Sequence, residues 1–202
     1  MPLTTTGSSM WKRSWPPPAP NLQAMPRLFI AAWVDEAVRA RAVDAEAALR
    51  ARGLALRFYA PDQLHATMAF LGTVERGRVE EVARACAWAA AQAPFDLVID
   101  RVGGFPSEQR ANVLWLGAGG EDAPFRAAVH TLRERLRDRG IALDEKEALP
   151  HVTIARAKLP VQLAPLDVAP VRWAVREIAL VESTTLASGA RYTTLGRWEL
   201  GA

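Results

Sequence analysis

The chain of 202 residues contains one cysteine, Cys86, so it has no means of forming an internal disulfide. A reducing cytoplasm is the expected compartment. No stretch approaches the ~20 consecutive apolar residues of a membrane-spanning helix, which excludes helical membrane spans. Histidine is scarce as well: only His65, His130 and His151 occur. None has a second histidine, a cysteine or a set of carboxylates at ligand spacing, and Asp62 near His65 is too little for a site. No metal and no other cofactor is therefore expected. Net charge is small too. The formal +3 includes Lys12 and Arg13 in a stretch without acidic residues, and the remainder carries +1, so global charge does not advertise nucleic acid.

That stretch, residues 1–24, is rich in Thr, Ser and Pro and has no apolar core of a secretory signal. It is expected to be a flexible extension. Residues 25–202 are expected to form a single domain, long enough and apolar enough to bury a substantial core.

Against this spare background one pattern occurs twice. It reads Leu64-His65-Ala66-Thr67-Met68 early and Pro150-His151-Val152-Thr153-Ile154 late. Threonine fills 11 of 202 positions, so two of three histidines sharing His-x-Thr by chance is roughly a one-in-a-hundred event. On a strand, side chains two apart share a face. Each copy would present an imidazole beside a hydroxyl, and two copies facing one cleft would supply two proton-transfer groups and two donors.

The surroundings repeat with the motif. An amphipathic helix is expected over 35–53, with Val38, Ala42, Ala45 and Leu49 on one stripe, Asp35 as N-cap and Gly53 as stop. A second is expected over 122–140, with Phe125, Ala128, Val129, Leu132 and Leu136 inward and Gly140 as stop. His65 follows the first glycine by twelve residues and His151 follows the second by eleven. The fold class expected is α+β: two pseudo-symmetric lobes with antiparallel sheets lining a central cleft, helices outside. Strands are expected over 27–34, 64–71, 95–102 and 112–116, a third helix over 75–91, an irregular stretch around Pro160, Pro165 and Pro170, and a closing strand pair over 171–183 and 192–200.

A histidine on a single apolar strand is as often a packed side chain as a functional one, but the duplicated setting weighs against that reading here. His130 lies inside a helix without the His-x-Thr spacing and is expected to be structural or solvent-facing. Phe70 has the parity of a core residue, and Trp33, Trp88 and Trp115 fit packing. Arg156 could bind phosphate, yet residues 151, 153 and 155 share a face that 156 leaves unless a bulge intervenes.

The chain resembles the RNA 2′,3′-cyclic phosphodiesterases of the 2H phosphoesterase superfamily, once named for 2′-5′ RNA ligase activity. The matching pieces are Arg27-Leu28-Phe29-Ile30-Ala31, the first motif running on through Ala69-Phe70-Leu71-Gly72, and Gly104-Phe105-Pro106. Val113-Leu114-Trp115-Leu116-Gly117, the second motif through Ala155-Arg156, Ser188-Gly189-Ala190-Arg191-Tyr192 and Trp198 complete them. Ala111-Asn112 departs from the family, where a basic residue is common. The resemblance implies hydrolysis of RNA 2′,3′-cyclic phosphate ends to 2′-phosphate ends without metal. It implies His65 as general acid, His151 as general base, and Thr67, Thr153 and Arg156 as substrate-binding residues. The residues alone do not choose which histidine is acid. Two alternatives share the same residues or the same fold: 2′-5′ RNA ligation or another nucleotide phosphodiester reaction, and a non-catalytic RNA or nucleotide binder. The expected partners are RNA with cyclic phosphate ends or nucleotide cyclic phosphates, met by a monomer without membrane association.

Overall fold

The computed structural model describes residues 25–120, 122–186 and 189–201. The expected extension, 1–24, lies outside the described residues. Chain order is β1 (Arg27–Trp33), α1 (Glu36–Ala51), β2 (Leu56–Phe58), β3 (His65–Thr73), α2 (Val79–Cys86), β4 (Phe95–Phe105) and β5 (Ala111–Gly117). Then come α3 (Ala123–Arg137), β6 (His151–Val161), β7 (Asp167–Val175), β8 (Glu177–Leu186) and β9 (Gly189–Glu199).

The two long helices form where apolar spacing demands. In α1 the buried residues are Val38, Ala42, Ala45 and Leu49, and the Asp35 carboxylate accepts a hydrogen bond from the Val38 amide at 3.0 Å. This satisfies one of the free donors of the first turn. In α3 the inward stripe is Phe125, Ala128, Val129, Leu132 and Leu136. Both helices end before a glycine in the left-handed region, Gly53 at φ +68° and Gly140 at φ +63°, where a side chain would be strained. The expected third helix is shorter than its pattern: α2 is flanked by tight turns at Arg76–Arg78 and Ala87–Ala91.

The nine strands form one antiparallel sheet in the order β7-β4-β5-β6-β3-β1-β8-β9, with β2 beside β6. The order divides at its centre into two matched halves. Between β3 and β6 the halves are stitched at one residue pair, Ala66 with Val152. Beyond it β3 diverges, and β2 takes over the free edge of β6 at residues 155–157. The buried stripes of the three helices pack on one face in a single core with Leu28, Ile30, Met68, Leu114 and Val152. On β1 the alternate residues Phe29 and Ala31 instead join Ala179 and Val181 in a second small cluster, with Trp33 and Tyr192 against it. β1 is thus apolar on both faces because it separates core from cleft.

The expected strand over 171–183 is in fact two. It breaks at Arg176: β7 pairs with β4 at one edge of the sheet, whereas β8 pairs with β1 and β9 near the other. A one-residue link between strands so far apart in the order requires the sheet to curl back on itself. The stretch around Pro160 and Pro170 is strand rather than irregular. Pro170 is tolerated because β7 is an edge strand, where a missing donor costs no ladder bond.

Candidate active site

Each motif begins its strand, and the stitch at Ala66–Val152 brings the two together. Antiparallel register around that pair sets His65 across from Thr153 and Thr67 across from His151. All four side chains are half-buried.

Both strands carry a bulge at the same place. Ala31 pairs with Thr67 and Ile30 with Ala69, leaving Met68 as the extra residue. Trp115 pairs with Thr153 and Leu114 with Ala155, leaving Ile154 as the extra residue. Met68 and Ala69 are both buried, and so are Ile154 and Ala155. An extra residue reverses the alternation beyond it. Arg156 therefore returns to the face of His151 and Thr153, which plain parity denied it. The same shift corrects the expectation for Phe70. It is an exposed side chain on the face of His65 and Thr67, opposite Phe29 in register, with the Arg27 guanidinium 5.7 Å from its ring centre. The repeat thus extends to His-x-Thr-x-x, ending in phenylalanine in one lobe and arginine in the other.

Both imidazoles are held alike. Nδ1 of His65 donates to the carbonyl of Gln63 at 2.7 Å, and Nδ1 of His151 to that of Leu149 at 2.9 Å. A carbonyl only accepts, so Nδ1 carries the proton and the Nε2 lone pair is left unengaged. Aromatic rings box each imidazole. Phe29 stacks on His65 at 4.9 Å, and Trp33 and Tyr192 meet it edge-on, each at 5.3 Å. Phe105 at 5.0 Å and Trp115 at 6.3 Å flank His151. The ring of Trp115 lies flat enough over Gly103 that a Cβ there would come within 2.2 Å of it. Trp33 and Trp115 are therefore site walls rather than mere packing, whereas Trp88 is buried as expected.

These walls set the electrostatics. Burial lowers the pKa of His65 to about 4, against a smaller upward pull from the Gln63 carbonyl and a further downward push from His151. Burial also lowers the pKa of His151, opposed by the Leu149 carbonyl. Both rings are therefore neutral near pH 7, and an anion between them would raise both. Thr67 and Thr153 have no hydrogen-bond partner among the described residues, which leaves two hydroxyls free to donate. At the Arg156 end its Nε donates to the Tyr59 hydroxyl at 2.9 Å, and the Arg57 guanidinium sits 5.7 Å from the Tyr59 ring centre. Burial raises the Tyr192 pKa, so its phenol stays protonated as a donor. His130 lies exposed on α3 beside Glu134 at 3.3 Å, away from the cleft. Among the described residues no three His, Cys, Asp or Glu side chains converge on a point that could hold a metal ion.

The aromatic walls escaped the sequence reading, although Phe29, Ala31 and Trp33 alternate as one face of β1. Tyr192 and Phe105 come from strands distant in sequence, and only pairing places them here.

Two antiparallel lobes meeting at one stitched pair, each with a carbonyl-locked imidazole and a free hydroxyl, define the two-histidine class of phosphoesterase. Comparison with known proteins agrees. The family model described as LigT-like phosphoesterase matches residues 33–115. An RNA 2′,3′-cyclic phosphodiesterase of Thermus thermophilus is 33% identical, with 86% of this chain and 90% of that protein covered. One of Thermotoga maritima is 28% identical over 84% and 92%. Among solved structures, a Thermus thermophilus protein superposes with a TM-score of 0.72 at 32% identity, covering 87% of this chain and 98% of that one. Apo LigT of Escherichia coli superposes with a TM-score of 0.71 at 26% identity, covering 89% and 99%. The chain belongs to the LigT-like phosphoesterase family.

Proposed function

We propose that residues 25–202 act as one bilobal catalytic unit that hydrolyses RNA 2′,3′-cyclic phosphate ends to 2′-phosphate ends, with His65 and His151 as the proton-transfer pair and no metal. The observation that carries this reading is the juxtaposition of two carbonyl-locked imidazoles, each beside an unengaged threonine hydroxyl. Membership in a family whose curated relatives are RNA 2′,3′-cyclic phosphodiesterases supports the substrate.

In the reaction water attacks phosphorus on the side opposite the 3′-oxygen. The new O–P bond forms as the P–O3′ bond breaks. His151 Nε2 takes the proton from water, and His65 Nε2–H gives one to the departing 3′-oxygen, following the family's assignment of roles. The hydroxyls of Thr67 and Thr153 and the guanidinium of Arg156 donate to the non-bridging oxygens as charge gathers there. His65 can serve as acid because the bound phosphate supplies the negative charge that restores its proton. Turnover leaves His151 protonated and His65 neutral, and exchange with solvent resets the pair.

The test is a short RNA ending in a 2′,3′-cyclic phosphate, with the product identified by mass and phosphorus NMR. Gain of one water with a 2′-phosphate is expected. A 3′-phosphate product would reverse the acid and base roles. Joining to an added 5′-hydroxyl RNA in place of hydrolysis would mark the chain as a ligase, and binding without turnover would sink the catalytic reading.

A further inference from the structure

A cavity of about 800 Å³ opens beside the His65 lobe, outside the two-histidine cleft. It lies within the ~300–1,000 Å³ range of small-ligand sites. Two of its walls are shared with the cleft: Trp33 and Tyr192, whose rings also bound His65. Gln63 is a third link. Its carbonyl holds His65, its side-chain amide donates to the Ala190 carbonyl at 2.8 Å, and it lines the cavity.

The chemistry of the lining is specific. Arg197 is tied to Glu177, whereas Arg176 has only a loose ion pair, to Asp96 at 3.5 Å. Arg191 is exposed and has no hydrogen bond or ion pair among the described residues, and Arg39 has one loose ion pair, to Glu36 at 3.4 Å. Asp62 on the same wall has no partner among the described residues. The cavity therefore offers three loosely held or unpaired guanidinium groups, of Arg39, Arg176 and Arg191, one free carboxylate and two aromatic rings. A single phosphodiester needs the first, a ribose hydroxyl or a base amine suits the second, and a base suits the third. A densely charged polyphosphate would be repelled by the carboxylates that share the space.

We propose that this cavity binds the nucleotide immediately 5′ to the one carrying the cyclic phosphate. The inference rests on the proposed reaction in the neighbouring cleft. An RNA end with a cyclic phosphate continues only in the 5′ direction, so a second nucleotide site contiguous with the cleft holds that neighbour. Arg191 and Arg39 receive its phosphate, and Asp62 accepts from its sugar or base. The consequence is a preference for RNA over mononucleotides.

Initial rates on a 2′,3′-cyclic mononucleotide and on a dinucleotide with the same end test this directly. The dinucleotide should be preferred at least tenfold in kcat/KM, mainly through KM. The double substitution Arg39→Ala, Arg191→Ala should reduce the dinucleotide value to about that of the mononucleotide, whose own value stays within about twofold. Equal use of both substrates by the unaltered enzyme, or a parallel loss on both in the variant, would overturn the subsite and leave the cyclic phosphodiesterase reading standing. If neither substrate turns over, that reading has failed, and tryptophan fluorescence titration with the dinucleoside monophosphate ApA still decides the cavity. Binding weakened about tenfold by the double substitution supports it, and binding that the substitution leaves unchanged overturns it.

Discussion

At the scale of residues, His65 and His151 differ in how deeply their walls bury them, and two measurable consequences follow. The first is kinetic. His65→Ala and His151→Ala should each lower kcat by ~10²–10⁴-fold, the usual worth of a lost acid or base. Thr67→Ala or Thr153→Ala should cost less, because water can replace one neutral donor. Since burial holds both imidazole pKa values below 6.5, the bell in kcat/KM should be centred on the acidic side of that value. The bell in kcat should sit higher, because the bound phosphate raises both groups. Identical positions for the two bells would show that substrate charge does not act on these rings. The second consequence is thermodynamic. A histidine whose pKa falls from 6.5 unfolded to about 4 folded binds fewer protons in the native state. Its neutral burial costs nothing above pH 6.5 and progressively more as pH drops toward 4, by about 3 kcal/mol in all. Thermal unfolding of a His65→Asn variant should change less between pH 7 and pH 5 than that of the parent.

At the scale of elements, strand geometry decides which side chains the cleft receives. Trp115 can lie over β4 only because position 103 has no Cβ. Gly103→Ala should displace that ring toward His151, costing about 1–3 kcal/mol as overpacking does, and lowering kcat as well. Gly77→Ala, where a Cβ would meet nothing within 4 Å, is the control that should change neither. The paired helices and the two motif strands were legible because local spacing alone specifies them: the buried stripes of α1 and α3 are the residues their periodicity names. The bulges at Met68 and Ile154 were not, since no glycine or proline marks them and their neighbours read as unbroken alternation. Phe70 and Arg156 were misjudged or left open for that one reason. The break at Arg176 was hidden likewise, because the two strands it separates are continuous in pattern and part only through pairing with distant partners.

At the scale of the molecule, the site belongs to neither lobe alone, and the proposed chemistry draws every group from side chains. Dialysis against EDTA should leave turnover unchanged; a loss restored by one added divalent cation would refute the two-histidine mechanism. Removing residues 1–24 should leave both turnover and the unfolding midpoint nearly unaltered, because that composition lacks a periodic apolar face. A drop of more than a few degrees in the truncated chain would assign the segment a structural role.

The shared bulge has a consequence for direction. Two copies of one strand, run against each other, read nearly the same from either end, like a palindrome: imidazole, hydroxyl, then hydroxyl, imidazole. The order of groups along the paired strands does not by itself say which way round a cyclic phosphate would enter. What breaks the tie is the unequal walling of the two imidazoles and, just past each bulge, the flat ring of Phe70 in one lobe against the forked cation of Arg156 in the other. In the proposed reaction the regiochemistry of the product would be set around the four motif side chains rather than by them, at positions where the duplicated halves differ.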